Sequence, residues 1–227
     1  MLEPGKTTTF YMLYLSIKYY LFKEQIKVIK SFYKDLSYAL LDFVFILSYL
    51  FTNPYRVCRK FYQKLRGKTL YIYGETPLTS LNKIATICGI HPSDNVLELG
   101  CGRGRGCFFL AKVIGAKVTG VDLVRSFIQR GRFIRKIFQI DNLSFLRADF
   151  YEYDYSKTTV VYLYGVHLEE EQIKLLTKKL KNLPTGAKVI SISYSIAQFA
   201  PKQFSQIKRF SLSFPWGQAF AYLSIKE

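Results

Sequence analysis

Short runs of aliphatic residues alternate with longer amphipathic segments through the last two-thirds of the chain. The short runs predict buried strands at residues 96–99, 118–122, 143–149, 158–164 and 189–192. The amphipathic segments predict helices at residues 78–88, 125–138 and 169–180. Residues 210–225 predict two strands around a Pro-Trp-Gly turn. This alternation indicates a doubly wound, mostly parallel α/β sheet that ends in an antiparallel hairpin.

Two of the predicted helices carry further expectations. Thr76 is placed to cap the helix at 78–88, with Pro77 in its first turn. In the helix at 125–138 the apolar residues are spaced to face the sheet while the basic residues point to solvent. The inward set is Phe127, Ile128, Phe133, Ile134 and Ile137.

The first third of the chain follows a different pattern. Residues 36–51 are almost wholly apolar, and only Ser37, Asp42 and Ser48 interrupt them. A helix that is apolar all round must be buried in protein or in lipid. The run is shorter than the roughly 20 residues of a bilayer span, and Lys or Arg flank it on both sides. A helix lying in a membrane interface fits best; helices packed on the α/β domain, or a true span, are the alternatives.

Length and composition limit the number of domains, and the net charge indicates possible partners. A chain of 227 residues, 49% of them apolar, suffices for one α/β domain with an added segment. We place the boundary near residues 67–69, which gives a helical segment at 1–68 and an α/β domain at 69–227. The formal charge is +17, and residues 1–68 hold twelve Lys or Arg against four Asp or Glu. This excess favours an anionic membrane surface, nucleic acid or an acidic protein as partner; a solvated Lys-rich surface is the alternative.

The four cysteines and two histidines show no metal-binding pattern. The cysteines have neither Cys-x-x-Cys spacing nor the arrangement of a small disulfide framework. They indicate thiols in a reducing compartment, and therefore a cytoplasmic protein. His91 and His167 lie far apart in the sequence, so we expect no metal.

A glycine-rich turn follows the predicted strand at 96–99. An acid is followed by glycine at alternate positions, namely Glu98, Gly100, Gly102 and Gly104. A dinucleotide-binding turn needs Gly-x-Gly-x-x-Gly, and no frame in this stretch supplies the third glycine. The stretch instead resembles the turn of class I S-adenosylmethionine-dependent methyltransferases, which have a Rossmann-like sheet of seven strands. An ordinary structural turn is the alternative.

Three further strand ends fit this resemblance. Asp122 lies 22 residues after Gly100, near the spacing expected for an acid that binds ribose hydroxyls. In class I methyltransferases the third strand brings a polar residue to the adenine, which implies Asp149, with the Phe150 backbone at the ring edge. The fourth strand ends beside the transferred methyl group, which implies Tyr164 as an acceptor-site residue. The resemblance therefore implies S-adenosyl-L-methionine as cofactor.

The segment before the first strand resembles particular families within this class of methyltransferases. Residues 73–76 read Tyr-Gly-Glu-Thr, similar to a segment of the disruptor-of-telomeric-silencing type histone lysine methyltransferases. In that family the segment lines the cofactor pocket, which implies this role for Tyr73, Glu75 and Thr76. From the residues alone, Glu75 fits the dipole of the following helix equally well. Residues from about 70 to 200 also resemble the protein lysine methyltransferases of the ATP synthase c subunit, which have a membrane-associating N-terminal segment.

Comparison with these families gives less information about the acceptor than about the cofactor. The histone family ends its fourth strand in asparagine, whereas this chain has Tyr164, Gly165 and then His167, which argues against a histone. The Asn/Asp-Pro-Pro-Tyr motif of methyltransferases acting on bases or glutamine is absent. A nucleic acid is therefore less favoured as substrate than a protein.

We therefore expect a protein lysine N-methyltransferase, peripheral on the inner face of a membrane. Tyr73, Tyr162 and Tyr164 are expected to form an aromatic channel in which burial lowers the pKa of the acceptor amine and ring faces bind the methylated cation. Tyr73 and Tyr164 are the catalytic candidates. The alternatives are a small-molecule or lipid amine N-methyltransferase and a non-catalytic cofactor-binding or scaffold protein.

Overall fold

The computed structural model describes residues 4–66 and 73–227, and the predicted domain boundary lies outside these ranges. The strands of its sheet are β1 Asn95–Leu99, β2 Lys117–Asp122, β3 Leu143–Arg147, β4 Val160–Leu163, β5 Lys188–Ile192, β6 Phe204–Phe214 and β7 Gly217–Lys226. Their order across the sheet is β3-β2-β1-β4-β5-β7-β6. Strands β1 to β5 are parallel, and β7 is antiparallel to β5 and β6. The predicted sheet and its terminal hairpin are confirmed.

Helices precede the sheet and connect its parallel strands. They are α1 Pro4–Phe32, α2 Leu36–Ser48, α3 Pro54–Arg66, α4 Leu78–Cys88, α5 Arg105–Phe109, α6 Arg125–Ile137 and α7 Glu170–Lys179. A π-helical turn at Leu110–Ile114 extends α5. Because β1 connects to β2 on one side and pairs with β4 on the other, a crevice forms where their carboxyl ends diverge. Such crevices are where doubly wound sheets bind ligands.

Both faces of the sheet are covered, as parallel strands require. Strand β4 is buried along its whole length, and its alternate residues belong to two different apolar clusters. One cluster joins the sheet to α2, α4, α5 and α6, and the other joins the opposite face to α7. The N-terminal helices therefore pack on only one side of the sheet.

The inner face of α2 packs on the α/β domain. Tyr38, Leu41 and Phe45 are each at most 1% exposed. The Phe45 ring lies 5.8 Å from that of Phe108 in α5. One face of the apolar helix, which the sequence left to protein or lipid, is thus buried in protein.

The outer face of α2 is apolar as well, but it is exposed. Leu36, Leu40, Phe43 and Leu47 follow helical spacing and are between 47% and 80% exposed. In the described part of the chain, none of the helices combines the length and the hydropathy that crossing a bilayer requires.

Two local predictions were wrong. Glu24 of α1, not Thr76, caps α4: its carboxylate accepts from the N–H of Thr79 at 2.9 Å and from the Thr79 hydroxyl at 2.8 Å. In α6, Phe133 and Ile137 are 65% and 53% exposed rather than facing the sheet. The cap differs because a helix distant in sequence supplies it. The buried face of α6 consists of Phe127, Ile128, Gly131 and Ile134, which leaves Phe133 and Ile137 to one side of it.

A buried ion pair joins α2 to the first residue of α5. The Asp42 side chain is 1% exposed, and its two oxygens accept from Nε and Nη2 of Arg105 at 2.8 and 2.6 Å. The Tyr33 hydroxyl donates to the same carboxylate at 2.8 Å, and the Gln25 side-chain oxygen accepts from Arg105 at 2.9 Å. This network satisfies a charge that would otherwise be costly to bury.

Asp42→Ala is expected to lower the free energy of unfolding by about 3 kcal/mol, because it leaves the largely buried Arg105 guanidinium without its counter-ion. Urea denaturation measures the loss. As a control, Glu171→Ala removes the exposed contact of that carboxylate with Lys174 and is expected to leave stability unchanged within error. An equal effect of the two substitutions would contradict a structural role for the buried pair.

Candidate functional site

The turn after β1 is built on left-handed glycine conformations. Gly100 and Gly102 have φ angles of +67° and +55°, which residues with a Cβ rarely adopt. The N–H of Cys101 donates to the Val121 carbonyl at 3.0 Å, and the N–H of Gly102 donates to Oδ2 of Asp122 at 2.9 Å. The turn is therefore held against the end of β2, at the crevice between β1 and β4.

Two cavities adjoin this turn and share Gly74, Gly100 and Tyr164 in their walls. The inner cavity has a volume of about 320 Å³. Its walls include Glu75, Thr76, Glu98, Cys101 and Arg103. The side cavity has a volume of about 60 Å³, and its walls include Tyr73, Gly102, Asp122, Val124 and Phe150. Because they share walls, we treat them as one cleft at the carboxyl ends of the strands.

Glu75 forms an ion pair across the cleft with Arg103 of the glycine turn. Its oxygens accept from Nε and Nη2 of Arg103 at 2.6 and 2.5 Å, and the Tyr73 hydroxyl donates to the same carboxylate. Burial alone would raise the pKa of Glu75, but these two donors hold it below its usual value. The guanidinium also lies 5.3 Å from the Phe45 ring and 4.8 Å from the Tyr49 ring. Segment 73–76 is thereby fixed over the turn.

The other two predicted acids of the cleft have raised pKa values. Burial raises the pKa of Glu98 to about 7, and the charges of Glu75 and Asp122 add to this effect. Burial also raises the pKa of Asp122 to about 6, against the hydrogen bonds that it accepts from the N–H groups of Val124 and Gly102. The cleft therefore concentrates negative charge that water does not fully solvate.

The predicted aromatic channel contains two of its three expected tyrosines. The Tyr162 hydroxyl is bonded to that of Thr76, and the Tyr162 side chain is only 1% exposed. It is absent from the walls of both cavities. Tyr73 and Tyr164 do line the cleft, so two of the three predicted tyrosines reach it.

A third cavity lies on the solvent side of Tyr164. This outer pocket has a volume of about 440 Å³ and is lined by Tyr73, Gly74, Tyr164, Val166, His167, Ser193 and Trp216. Gly74 and Tyr164 also line both cavities of the cleft. A Cβ at Gly74 would lie 2.6 Å from Cε1 of the Tyr164 ring. The glycine therefore allows the ring to stand between the outer pocket and the cleft.

Comparison with known proteins identifies the chemistry of this cleft. A family model described as the ANTKMT methyltransferase domain matches residues 98–203. A protein-lysine N-methyltransferase of Saccharolobus islandicus (strain REY15A) is 28% identical over 138 residues, which cover 60% of this chain and 84% of that relative. The chain is an S-adenosylmethionine-dependent methyltransferase with the class I fold.

Solved structures share the fold of the methyltransferase. An RNA methyltransferase from Salinibacter ruber, in complex with S-adenosyl-L-homocysteine, has a TM-score of 0.57 at 23% identity, covering 68% of this chain and 95% of that one. TrmN from Thermus thermophilus has a TM-score of 0.55 at 17% identity, covering 65% and 48%. The PH0226 protein from Pyrococcus horikoshii OT3 has a TM-score of 0.55 at 16% identity, covering 66% and 89%. At these identities the likeness concerns the fold alone.

The residues of the cleft fit S-adenosylmethionine, the cofactor of the methyltransferase. A Cβ at Gly100 would meet no atom within 4 Å, so the backbone there is open to a ligand. Each Asp122 oxygen accepts one backbone N–H, from Gly102 at 2.9 Å and from Val124 at 2.7 Å. Since a carboxylate oxygen has further acceptor capacity, we expect Asp122 to bind the ribose hydroxyls. Glu98 lines the inner cavity, and its contact with the cofactor stays a prediction.

Two predicted cofactor residues of the methyltransferase lie outside the cavity walls. The Asp149 carboxylate accepts from the N–H of Tyr151 at 2.9 Å and caps the turn at Phe150–Glu152. Gly104 begins α5, where a Cβ would lie 2.4 Å from the Phe145 ring. Close packing thus accounts for this glycine, and a direct cofactor contact of either residue stays a prediction.

The sequence did not reveal that the N-terminal helices line the cleft of the methyltransferase. Glu24, Gln25 and Ile46 of α1 and α2 contribute to the inner cavity, and Cys58 and Tyr62 of α3 contribute to the side cavity. The sequence signal for this packing was Asp42, an acid inside an apolar helix, whose partner Arg105 follows Gly104 of the glycine turn.

Glu98→Gln is expected to become more stable, relative to the wild type, as pH rises from about 4.5 through 7. A raised pKa in the folded state means that the unliganded wild type loses stability over this window, as Glu98 gives up its proton in a buried site. Urea unfolding at several pH values measures the difference, expected to be about 3 kcal/mol by pH 8. A constant difference across the window would contradict the assigned pKa.

Proposed function

We propose that the methyltransferase transfers the methyl group to a lysine side-chain amine of a protein. The observation that carries this proposal is the aromatic outer pocket, which meets the cofactor cleft at Tyr164 and Gly74. A long, flexible side chain suits a reaction centre that lies behind such a pocket. The protein-lysine N-methyltransferase relative supports the same acceptor.

The outer pocket suits delivery of a neutral amine. Among the described residues, those that form its walls include no Asp or Glu, so no carboxylate of this set stabilises the charged amine by ion pairing. Burial beside Tyr73 and Tyr164 disfavours the ammonium form and lowers the pKa of the amine. The acceptor nitrogen thus arrives with a free electron pair.

Methyl transfer then requires orientation more than acid-base catalysis. S-adenosylmethionine supplies a methyl carbon activated by its sulfonium. As the amine nitrogen bonds to that carbon, the carbon–sulfur bond breaks with its electron pair on sulfur, and the surplus proton on nitrogen goes to water. Correct orientation is worth on the order of 7–11 kcal/mol, and we assign it to Tyr164, with Tyr73 holding Glu75 and Arg103 in place.

Gly74→Ala is expected to lower kcat by about 10- to 100-fold, because the new methyl group displaces the Tyr164 ring. Tyr164→Ala should cause a loss of similar size. In the double variant the two losses should not add, since both act through the same ring. Single-turnover kinetics with radiolabelled cofactor measure the loss in each single variant and in the double variant. Additive losses would contradict this coupling, and unchanged turnover in Tyr164→Ala and Tyr73→Phe would exclude the aromatic channel.

Incubation of membrane and soluble fractions with radiolabelled S-adenosylmethionine tests the acceptor class. Label in a discrete protein band, recovered as methyl-lysine after hydrolysis, supports the proposal. Label in the lipid extract would instead favour a lipid amine. Heat-inactivated enzyme is the control for non-enzymatic labelling.

We also propose that the outer face of α2 binds an anionic lipid surface. The exposed stripe of Leu36, Leu40, Phe43 and Leu47 follows, along the chain, a series of exposed lysines in α1 and the α1–α2 turn. The lysines are Lys23, Lys27, Lys30 and Lys34. Exposed apolar residues on one face of a helix, together with nearby cations in the sequence, are typical of helices that lie in a membrane interface.

Phe43→Asp is expected to reduce binding to vesicles with anionic headgroups by about tenfold or more, because it removes a side chain whose burial is worth about 1.5–3 kcal/mol and adds repulsion. Co-sedimentation with vesicles of phosphatidylglycerol and phosphatidylcholine measures the bound fraction of each variant. Leu175→Asp, at a similarly exposed site on α7, is the matched control. Equal loss in both variants, or equal binding to neutral vesicles, would contradict the assigned surface.

A further inference from the structure

Trp216 is an exposed aromatic residue whose orientation is fixed by two contacts. It lies in the turn between β6 and β7, and its indole stacks on the Phe214 ring at 5.1 Å with an interplanar angle of 13°. Its Nε1–H donates to the Tyr164 hydroxyl at 2.9 Å. Although it is held in this way, 52% of Trp216 remains exposed. A single exposed aromatic residue is common on protein surfaces; what distinguishes Trp216 is that its orientation is fixed while it lines the outer pocket.

Another residue that lines the outer pocket, Ser193, has a strained backbone. Ser193 follows β5 and has a φ angle of +74°, which is unfavourable for a residue with a Cβ. Its N–H donates to the Phe220 carbonyl at 2.8 Å, which ties it to the strand after Trp216. Strain of this kind is retained where a binding site requires a particular backbone path. Two independent features thus mark the outer pocket as a built site.

The hydrogen bond between Trp216 and Tyr164 connects the mouth of the pocket to the cofactor cleft. Tyr164 lines the outer pocket and both cavities of the cleft, whereas Trp216 lines only the outer pocket among these three. Phe214 covers one face of the indole. The rest of its π surface is therefore available to a ligand that enters beside Tyr164.

We propose that Trp216, at the mouth of the outer pocket, is a specificity-determining residue that binds the ammonium group of the acceptor before the amine loses its proton, and that it favours acceptors that already carry methyl groups. This inference rests on the proposed lysine acceptor for the identity of the amine. Tyr164, which accepts the indole hydrogen bond, lies where the amine then passes in its neutral form to the cofactor cleft.

The preference for methylated acceptors follows from hydration. A primary ammonium has three N–H donors and is held strongly by water, whereas each added methyl group removes one donor. A more weakly hydrated cation transfers more readily to an aromatic face, which is why aromatic cages bind methylated ammonium groups. Loss of Trp216 should therefore impair the second and third transfers more than the first.

The chain contains a single tryptophan, so its fluorescence reports directly on this position. The full-length protein, saturated with S-adenosylhomocysteine, is titrated with Nα-acetyl-Nε-trimethyllysine amide. A neutral isostere, in which tert-butyl replaces trimethylammonium, is the matched probe. The cation is expected to quench Trp216 saturably and to bind about two- to fivefold more tightly than the isostere. Equal affinities, or no saturable change with the cation, would overturn the proposal.

Kinetics of variants supply the second test. Trp216→Ala is expected to raise KM for a monomethylated acceptor peptide at least threefold more than KM for the unmethylated peptide, and Trp216→Phe should restore most of the difference. Phe133→Ala removes another exposed aromatic residue, on α6, and should leave both KM values unchanged. Equal changes for the two peptides in Trp216→Ala would overturn the preference.

The two proposals fail in different ways. If lysine peptides are not methylated but the trimethylated probe still quenches Trp216 more strongly than its isostere, the lysine acceptor is wrong and the ammonium site stands. If lysine is methylated while the probe and its isostere bind alike, the assignment of Trp216 is wrong and the acceptor stands.

Discussion

Arg103 and Arg105 alternate with the glycines of the turn, and the ion pairs that they form hold the cofactor cleft together. Arg103 binds Glu75 and so brings segment 73–76 over the turn. Arg105 binds Asp42 and so brings α2 against the start of α5. Because a largely buried charge is costly to leave unpaired, each pair restricts the positions that its element can take. Three parts of the chain, far apart in sequence, are thereby assembled into one cleft.

The two sides of Tyr164 differ in their chemistry. On the cofactor side, Glu75, Glu98 and Asp122 bring carboxylates into a partly dehydrated space. On the solvent side, no acid is found among the described residues that line the outer pocket. This division suits a cationic cofactor and the neutral amine that we propose as acceptor, since a carboxylate beside the acceptor would favour its protonated form. Tyr164 lies at the boundary between the two environments.

The composition of α2 becomes understandable once both of its faces are considered. Phe45 and its neighbours pack on the α/β domain, whereas Phe43 lies on the opposite, exposed face. A hydrophobic pattern measures only how strongly a side chain avoids water, and it does not distinguish protein from lipid as the alternative. The sequence therefore left both protein and lipid as surroundings for α2, and the structure assigns protein contact to one face only.

The sequence by itself determined the strands, the glycine turn and the acid at Asp122, because strand periodicity and turn chemistry depend on neighbouring residues. It did not determine the cap of α4 by Glu24, the exposure of Phe133 or the burial of Tyr162. Nor did it reveal that Arg105 binds Asp42, 63 residues earlier, or that Trp216 binds Tyr164, 52 residues earlier. Such contacts depend on how helices and hairpins cross one another in space. Only the tertiary structure decided them, because nothing in a local pattern specifies which distant side chain will satisfy a buried or strand-end polar group.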